Sequence, residues 1–575
     1  MLILGVHPGY HDAIAVLCED YEILAAVQLE RLTRRKIDGG RVPDESIDEC
    51  LAIAGARRSD VDVVTLGRAA LPWRFYSHFT GGRLIEGRVR QWLGKEKHKS
   101  MERELIRAGR TDAAGLFNAP RFLDESGFRA DVEVRFFNHH LAHALPTLFH
   151  TDWDSALLYT SDGGGDNVQY SHRVFRAGRI ETLYGDDSCL LRPLRVDSLG
   201  LAYGYATQAL GYQINRHEGK LTGLAAYGQP TLYETMASHF SVSDDGQIAS
   251  DFESYPAMRR AVRALADGQE PADVAASVQK LLEEFTVRAV TRLVERAAVR
   301  GLGLAGGVFG NVRLNQRLAR ETGVDEVFVY PAMSDCGLAA GGILEYLLER
   351  DGMDRWLAQR YPLETLYFGR DYGAGAASGL DADSRLERVS DNPVETAAKH
   401  LAAGKVVAIF TSGMEYGPRA LGARSILAAP VDAHINDVLN ERLGRTEFMP
   451  FAPVVAEDDA DDIFEIDKGM RYAARFMTIT CPVREAWRAR IPAVVHVDGT
   501  ARPQVIRREW NPLYFDILEG YKRATGIPVL INTSFNAHEE PIINTPAECA
   551  DALAAGRVDF VVTRDAVHAA KAPRA

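Results

Sequence analysis

The chain has 575 residues, 46% of them hydrophobic and 25% charged, with a formal net charge of −13. At roughly 100–200 residues per domain this length implies two to four domains, and the composition excludes an extensively disordered chain. The acidic balance argues against a nucleic-acid partner, and apolar runs such as 406–410 fall far short of the roughly 20 residues that span a bilayer.

The chain opens with a short apolar strand, Leu2 to Val6, a polar turn holding His11 and Asp12, and a second strand through Ile14–Leu17. That pattern reads as a hairpin. No basic region and cleavage site precede it, so a cytoplasmic location is expected, with neither membrane nor nucleic acid as partner. The six cysteines form no C-x-x-C pair and read as reduced, buried thiols. Residues 74–110 carry ten Lys/Arg against four Glu, which reads as a solvated, partly helical insertion or as a surface for an anionic or carrier-bound substrate.

Next comes Asn138-His139-His140-Leu141-Ala142-His143-Ala144. On a helix His139 and His143 share one face, the spacing by which two imidazoles reach a single ion, although capped core histidines look the same. The strand Ser155–Thr160 then runs into Asp162-Gly163-Gly164-Gly165-Asp166 and a further strand from Val168. This repeats the opening unit and suggests a duplicated lobe gripping a nucleotide, with Gly163 and Gly164 letting backbone N–H groups approach phosphate. A helix is expected over 274–299, followed by Leu304-Ala305-Gly306-Gly307-Val308-Phe309-Gly310-Asn311, a strand entering a double glycine before a helix. Asp335 stands before another helix; with Asp162 and the two histidines it makes a thiolate-free set suited to Fe(II), Mn(II) or Zn(II).

The pattern breaks near 351–372, which places a boundary at 355/356. Beyond it, strands are expected at 405–410, 494–497 and 529–532, and helices at 512–524 and 546–555. Cationic clusters stand at the ends of these elements: Arg419 and Arg424 after a Gly-Pro turn, Arg442 and Arg445, and Arg502, with Asn532, Ser534 and Asn536 at a polar strand end. Guanidinium forks of this kind suit phosphate.

His11-Asp12-Ala13, HHLAHA, SDGGGD, His217-Glu218-Gly219-Lys220, LAGGVFGN, SDCG, EYGPRALGARSIL, FMPFAP, DGTARPQ and INTSFN occur in that order. The ordered set resembles the NodU/CmcH/TobZ family of O-carbamoyltransferases over nearly the whole chain. The resemblance implies an α/β protein: a two-lobed TsaD-like domain of the actin/sugar-kinase type over 1–355 and a YrdC-like α/β domain over 356–575. It also implies two steps. Carbamoyl phosphate and ATP, with Mg2+, give carbamoyl adenylate; the carbamoyl group then passes to a hydroxyl of a small natural-product acceptor, as in antibiotic tailoring, releasing AMP.

By the same resemblance His139, His143, Asp162 and Asp335 form an iron-type site, and His11, oriented by Asp12, is the base for the acceptor hydroxyl. Gly306, Gly307, Val308, Asn311 and Lys220 fall on the nucleotide side. Arg419, Arg424, Arg442, Arg445, Arg502, Asn532, Ser534 and Asn536 fall in the carbamoyl-phosphate pocket. Many relatives carry Arg where this chain has Met449, so one cation is expected from elsewhere. Family members suggest a homodimer, and residues 68–125 and 185–260 are where the acceptor is expected to bind. A tRNA threonylcarbamoyl transferase-like enzyme and a non-catalytic, nucleotide-binding actin-like protein are the competing readings.

Overall fold

The computed structural model describes residues 1–77, 85, 89, 97–446 and 448–571. Most of the expected basic insertion lies outside the described residues, as does the end of the tail, 572–575.

Three sheets organise the chain. In the first lobe β1 (Leu2–His7), β2 (Ile14–Glu19), β3 (Glu22–Gln28), β4 (Val63–Gly67) and β5 (Glu133–Phe137) lie in the order β3-β2-β1-β4-β5. The first three strands form an antiparallel meander, and β4 and β5 join in parallel. The second lobe repeats this plan: β6 (Ser155–Gly165), β7 (Val168–Arg176), β8 (Arg179–Tyr184), β9 (Gly301–Ala305) and β10 (Glu326–Val329), in the order β8-β7-β6-β9-β10 with the same mix of directions. The repeat read from two strand–turn–strand units is thus a repeat of whole five-stranded sheets, the two-lobed actin and sugar-kinase plan. Parallel strands are covered on both faces, which is why β1 up to His7 and all of β9 are apolar rather than alternating.

Helices carry the chain between the lobes. α1 (His139–Phe149) follows β5, with Asn138 as its N-cap through Leu141 N–H (2.8 Å). α2 (Glu218–Leu224) and the 27-residue α3 (Pro271–Ala297) cover the second sheet, α3 burying an apolar stripe that includes Val274, Val278, Leu281, Phe285 and Leu293. α4 (Val312–Glu321) follows β9, and α5 (Leu338–Asp351) returns across β1 and β4 against α1.

The third body is an eight-stranded mixed sheet of β11 (Leu386–Ser390), β12 (Val407–Phe410), β13 (Arg424–Ala428), β14 (Ala452–Ala456), β15 (Gln504–Ile506), β16 (Val529–Ser534), β17 (Phe560–Val562) and β18 (Val567–Ala570). Its order is β11-β18-β17-β12-β13-β16-β14-β15. The chain leaves the first lobe after Trp356, which is fully buried beside Phe149 and donates to Leu344 O at 3.0 Å.

The run 494–497 is not a strand. Residues Pro492–Val494 form a 3-10 turn, and His496 N–H donates to Thr500 O at 2.8 Å to close a tight bend at Asp498-Gly499. Asp498 and Gly499 so soon after three β-branched residues favour reversal over extension. No described helix is long and apolar enough to cross a membrane.

Candidate active site

β5 delivers its chain straight into α1, whose first two turns present His139 and His143 between the two lobes. β6 extends to bring Asp162 to the same point, and the short turn ahead of α5 brings Asp335. One ligand atom from each of these four side chains lies within 4.8 Å of the others. His143 Nε2 stands 3.2 Å from Asp162 Oδ2 and 3.6 Å from Asp335 Oδ1; His139 Nε2 stands 3.7 Å from Asp335 Oδ1.

Three facing atoms, His139 Nε2, His143 Nε2 and Asp335 Oδ1, are buried without a hydrogen-bond partner. Orphaned donors converging in this way fit a divalent ion, which needs neutral imidazoles and carboxylates turned inward. The electrostatics agree. Burial lowers the pKa of His139. It opposes charge on His143 too, yet the contacts with Asp162 and Asp335 push that group up to about 9. Burial alone would raise Asp335, but contact with His143 and the nearby imidazoles hold it well below the usual carboxylate range. Two buried carboxylates therefore demand positive charge between them.

The surrounding shell orients these groups. Asp166 accepts His139 N–H at 2.7 Å and pairs with Arg68 at 3.2 Å, and Arg68 pairs with Asp187 at 2.6 Å. Glu345, pushed up to about 8 by burial, accepts Asn138 N–H at 3.1 Å. Gly307 N–H donates to Asp162 Oδ2 at 3.0 Å. Gly306 permits that approach, because at φ 105° a Cβ would sit 2.1 Å from Ser161 O.

His11 and Asp12 lie at the mouth of the cluster, on the turn between β1 and β2. His11 Nδ1 is 3.4 Å from Asp12 Oδ2 and 4.0 Å from Asp335 Oδ2. Burial opposes its charge, but Asp12, Asp335 and Asp162 together push it up to about 10. Gly163, Gly164 and Gly307 are exposed beside this cleft, with Val308 half-buried behind them. Asn311, expected on the nucleotide side, is spent within the fold: it caps α4 through Leu314 N–H (3.1 Å) and exchanges hydrogen bonds with Gln279.

In the third body Arg445 gathers the polar end of β16, donating to Thr533 Oγ1 (2.9 Å), Ser534 O (2.8 Å) and Asn536 O (2.7 Å) and Oδ1 (2.9 Å). Asn532 donates to Gln504 Oε1 at 2.6 Å and to Ala420 O at 3.1 Å. Arg419 and Arg502 are half-buried on segments that the Gln504 Nε2–Leu421 O hydrogen bond (2.8 Å) ties together. Two expected forks are diverted. Arg424 is fully buried over the Phe410 ring, with one Nη1 donating to Thr411 O at 2.6 Å, so its charge serves the main chain. Arg442 pairs with Asp559 at 3.1 Å.

Lys220 links the bodies: from α2 its Nζ donates to Thr446 Oγ1 at 2.9 Å, next to Arg445. The motif reading passed over His7, Asp166 and Gln504. Asp166 and Gln504 close the SDGGGD and DGTARPQ motifs; His7, at the end of β1, stands four residues before His11, and that repetition is its signal.

The pattern described as carbamoyltransferase N-terminus matches residues 2–73 and 125–344, and that described as carbamoyltransferase C-terminus matches 398–569. The chain is 32% identical over 572 residues to nodulation protein NolNO of Sinorhizobium fredii, covering 96% of this chain and 78% of that one. It is 34% identical to nodulation protein NolO of Bradyrhizobium diazoefficiens, covering 72% and 75%. Among solved structures, full-length HypF in its phosphate- and nucleotide-bound form gives a TM-score of 0.33 at 13% identity, covering 60% of this chain and 46% of that one. The ROK hexokinase of Thermus thermophilus gives 0.30 at 14%, covering 61% and 100%. With two family patterns matched in order across both bodies, the chain belongs to the carbamoyltransferase family.

Proposed function

We propose that this transferase is an ATP-dependent O-carbamoyltransferase working in two connected chambers. In the third body, carbamoyl phosphate first gives up its phosphoryl group to water as phosphate. The carbamate left behind attacks the α-phosphorus of Mg2+-bound ATP, pyrophosphate departs, and carbamoyl adenylate is formed. Between the lobes, the acceptor oxygen bonds to the carbamoyl carbon, the bond from that carbon to the phosphate oxygen breaks, and AMP leaves.

The geometry supports the following roles. Arg445, with the Ser534 and Asn536 side chains it holds, offers a cationic end to the carbamoyl-phosphate chamber. His139, His143, Asp162 and Asp335 would hold the divalent ion, for which Fe(II), Mn(II) and Zn(II) are all chemically suited. Such an ion supplies Lewis-acid stabilisation of the adenylate's phosphate. Asp12 faces His11 Nδ1 and so leaves Nε2 to take the acceptor's proton. Neutralising Asp162 and Asp335 removes two of the charges that keep His11 protonated, the condition for its service as a base.

The observation that carries the reading is the Lys220–Thr446 hydrogen bond, which joins the second lobe, whose β6 brings Asp162 to the cluster, to the loop bearing Arg445. The test is product analysis with carbamoyl phosphate, ATP and a panel of hydroxylated natural products. Phosphate, pyrophosphate and AMP in equal amounts, with a carbamoylated product detected by mass spectrometry, are expected. ADP as the nucleotide product would point to a kinase instead.

A further inference from the structure

The first lobe places a third imidazole behind the cluster. His7 ends β1, is 2% exposed, and has no hydrogen-bond partner on either ring nitrogen. Its slot exists because two neighbours lack side chains: a Cβ on Gly9 would lie 2.3 Å from Nε2, and one on Gly67 would lie 2.6 Å from Nδ1. A buried imidazole with unmet nitrogens costs stability. Here two backbone positions are kept bare to house one.

The two oxygens of Asp335 have divided their surroundings. Oδ1 faces His139 Nε2 (3.7 Å) and His143 Nε2 (3.6 Å). Oδ2 faces His7 Nε2 at 3.4 Å and His11 Nδ1 at 4.0 Å. The rings of His7 and His139 stand edge to face with centroids 6.5 Å apart, on opposite sides of that carboxylate.

We propose that His7 is a positioning residue for the metal centre. Its Nε2–H donates to Asp335 Oδ2, keeps Oδ1 turned toward His139 and His143, and keeps Oδ2 from competing with Asp12 for His11. The inference rests on reading the four-ligand cluster as a divalent-metal site. A carboxylate is free to swing about its last torsion unless its outer oxygen is held, and outer partners of this kind contribute about 10–100-fold to metal affinity.

The test is Co(II) binding to the metal-stripped full chain, measured by chelator competition and by the visible spectrum of the bound ion. H7A is expected to bind Co(II) about 10–100-fold more weakly than wild type, with a shifted spectrum. H7Q retains an N–H donor and is expected to recover most of the affinity. Thermal unfolding of the metal-free proteins checks that the fold persists; should H7A fail to fold, H7L, which fills the slot without a donor, replaces it. Wild-type affinity and spectrum in H7A or H7L would overturn the role of His7, as would equal losses in H7Q and H7L. A wild-type chain that binds no Co(II) would overturn the metal reading itself, a result distinct from either.

Discussion

Lys220 Nζ and Thr446 Oγ1 meet at 2.9 Å across the seam between the second lobe and the third body. Lys220 is buried on α2, within the motif expected to face the nucleotide, while Thr446 follows the arginine that gathers the end of β16. On the proposed two-step reaction, this ammonium lies between the site of adenylate formation and the site of transfer. Replacing Lys220 by Met keeps the stem and removes the charge. Carbamoyl transfer is expected to fall about 100-fold, the usual loss when one donor to a developing anion is removed. Pyrophosphate exchange into ATP, which reports only adenylate formation, is expected to fall much less. Equal losses would place Lys220 in the first step.

His11→Asn separates the two steps from the other side. The turn that carries His11 belongs to the first lobe, and His11 lies beside Asp12 and Asp335. Adenylate formation in the third body is expected to continue at the wild-type rate, while transfer to the acceptor drops by roughly 100-fold or more, within the range of a lost general base. Single-turnover measurement with preformed adenylate checks it.

Much of this arrangement was legible in the sequence because each motif is local. The first strand, the SDGGGD turn and the INTSFN strand end each declare their element through short-range chemistry. What periodicity could not show is which strand ends converge. Asp335 reaches His143 only through the parallel order of β6, β9 and β10. The arginines make the same point: a guanidinium after a Gly-Pro turn reads as a phosphate fork, yet burial decided otherwise for Arg424. The 494–497 run failed for a simpler reason, since β-branched residues beside Asp-Gly are as easily closed into a bend as extended.

Arg424 accordingly has a structural consequence that a phosphate fork would not. Its guanidinium is fully buried, stacks on Phe410 and satisfies carbonyls of Thr411 and Ser412. R424M leaves those carbonyls unsatisfied in the core of the eight-stranded sheet. A loss of about 2–5 kcal/mol of stability is expected, at about 1–3 kcal/mol for each buried acceptor left unsatisfied. Arg445→Lys should cost less, about 1–2 kcal/mol, because the half-buried lysine keeps the charge but cannot span all the acceptors that the fork holds, and it should raise the KM for carbamoyl phosphate. Denaturant melts and steady-state kinetics on the two variants distinguish the roles.

Buried histidines outside the cluster, His150 and His172 among them, help set the acid limit of stability. His150 lies between the rings of Tyr330 and Tyr361, and His172 between those of Tyr159 and Tyr184; burial lowers each to about 4. In the unfolded chain each returns to about 6.5. Between pH 6.5 and about 4 the unfolded state binds protons that the folded state refuses, so stability is lost as pH falls through that window and is unaffected by these groups above it. Each contributes a loss on the order of 3 kcal/mol by the bottom of the window. H172F keeps the aromatic slot filled and has nothing to protonate. Its Tm is expected to match wild type at pH 7.5 and to exceed it at pH 5; parallel Tm curves for the two proteins across this range would show that His172 is not among the groups that make the fold acid-labile.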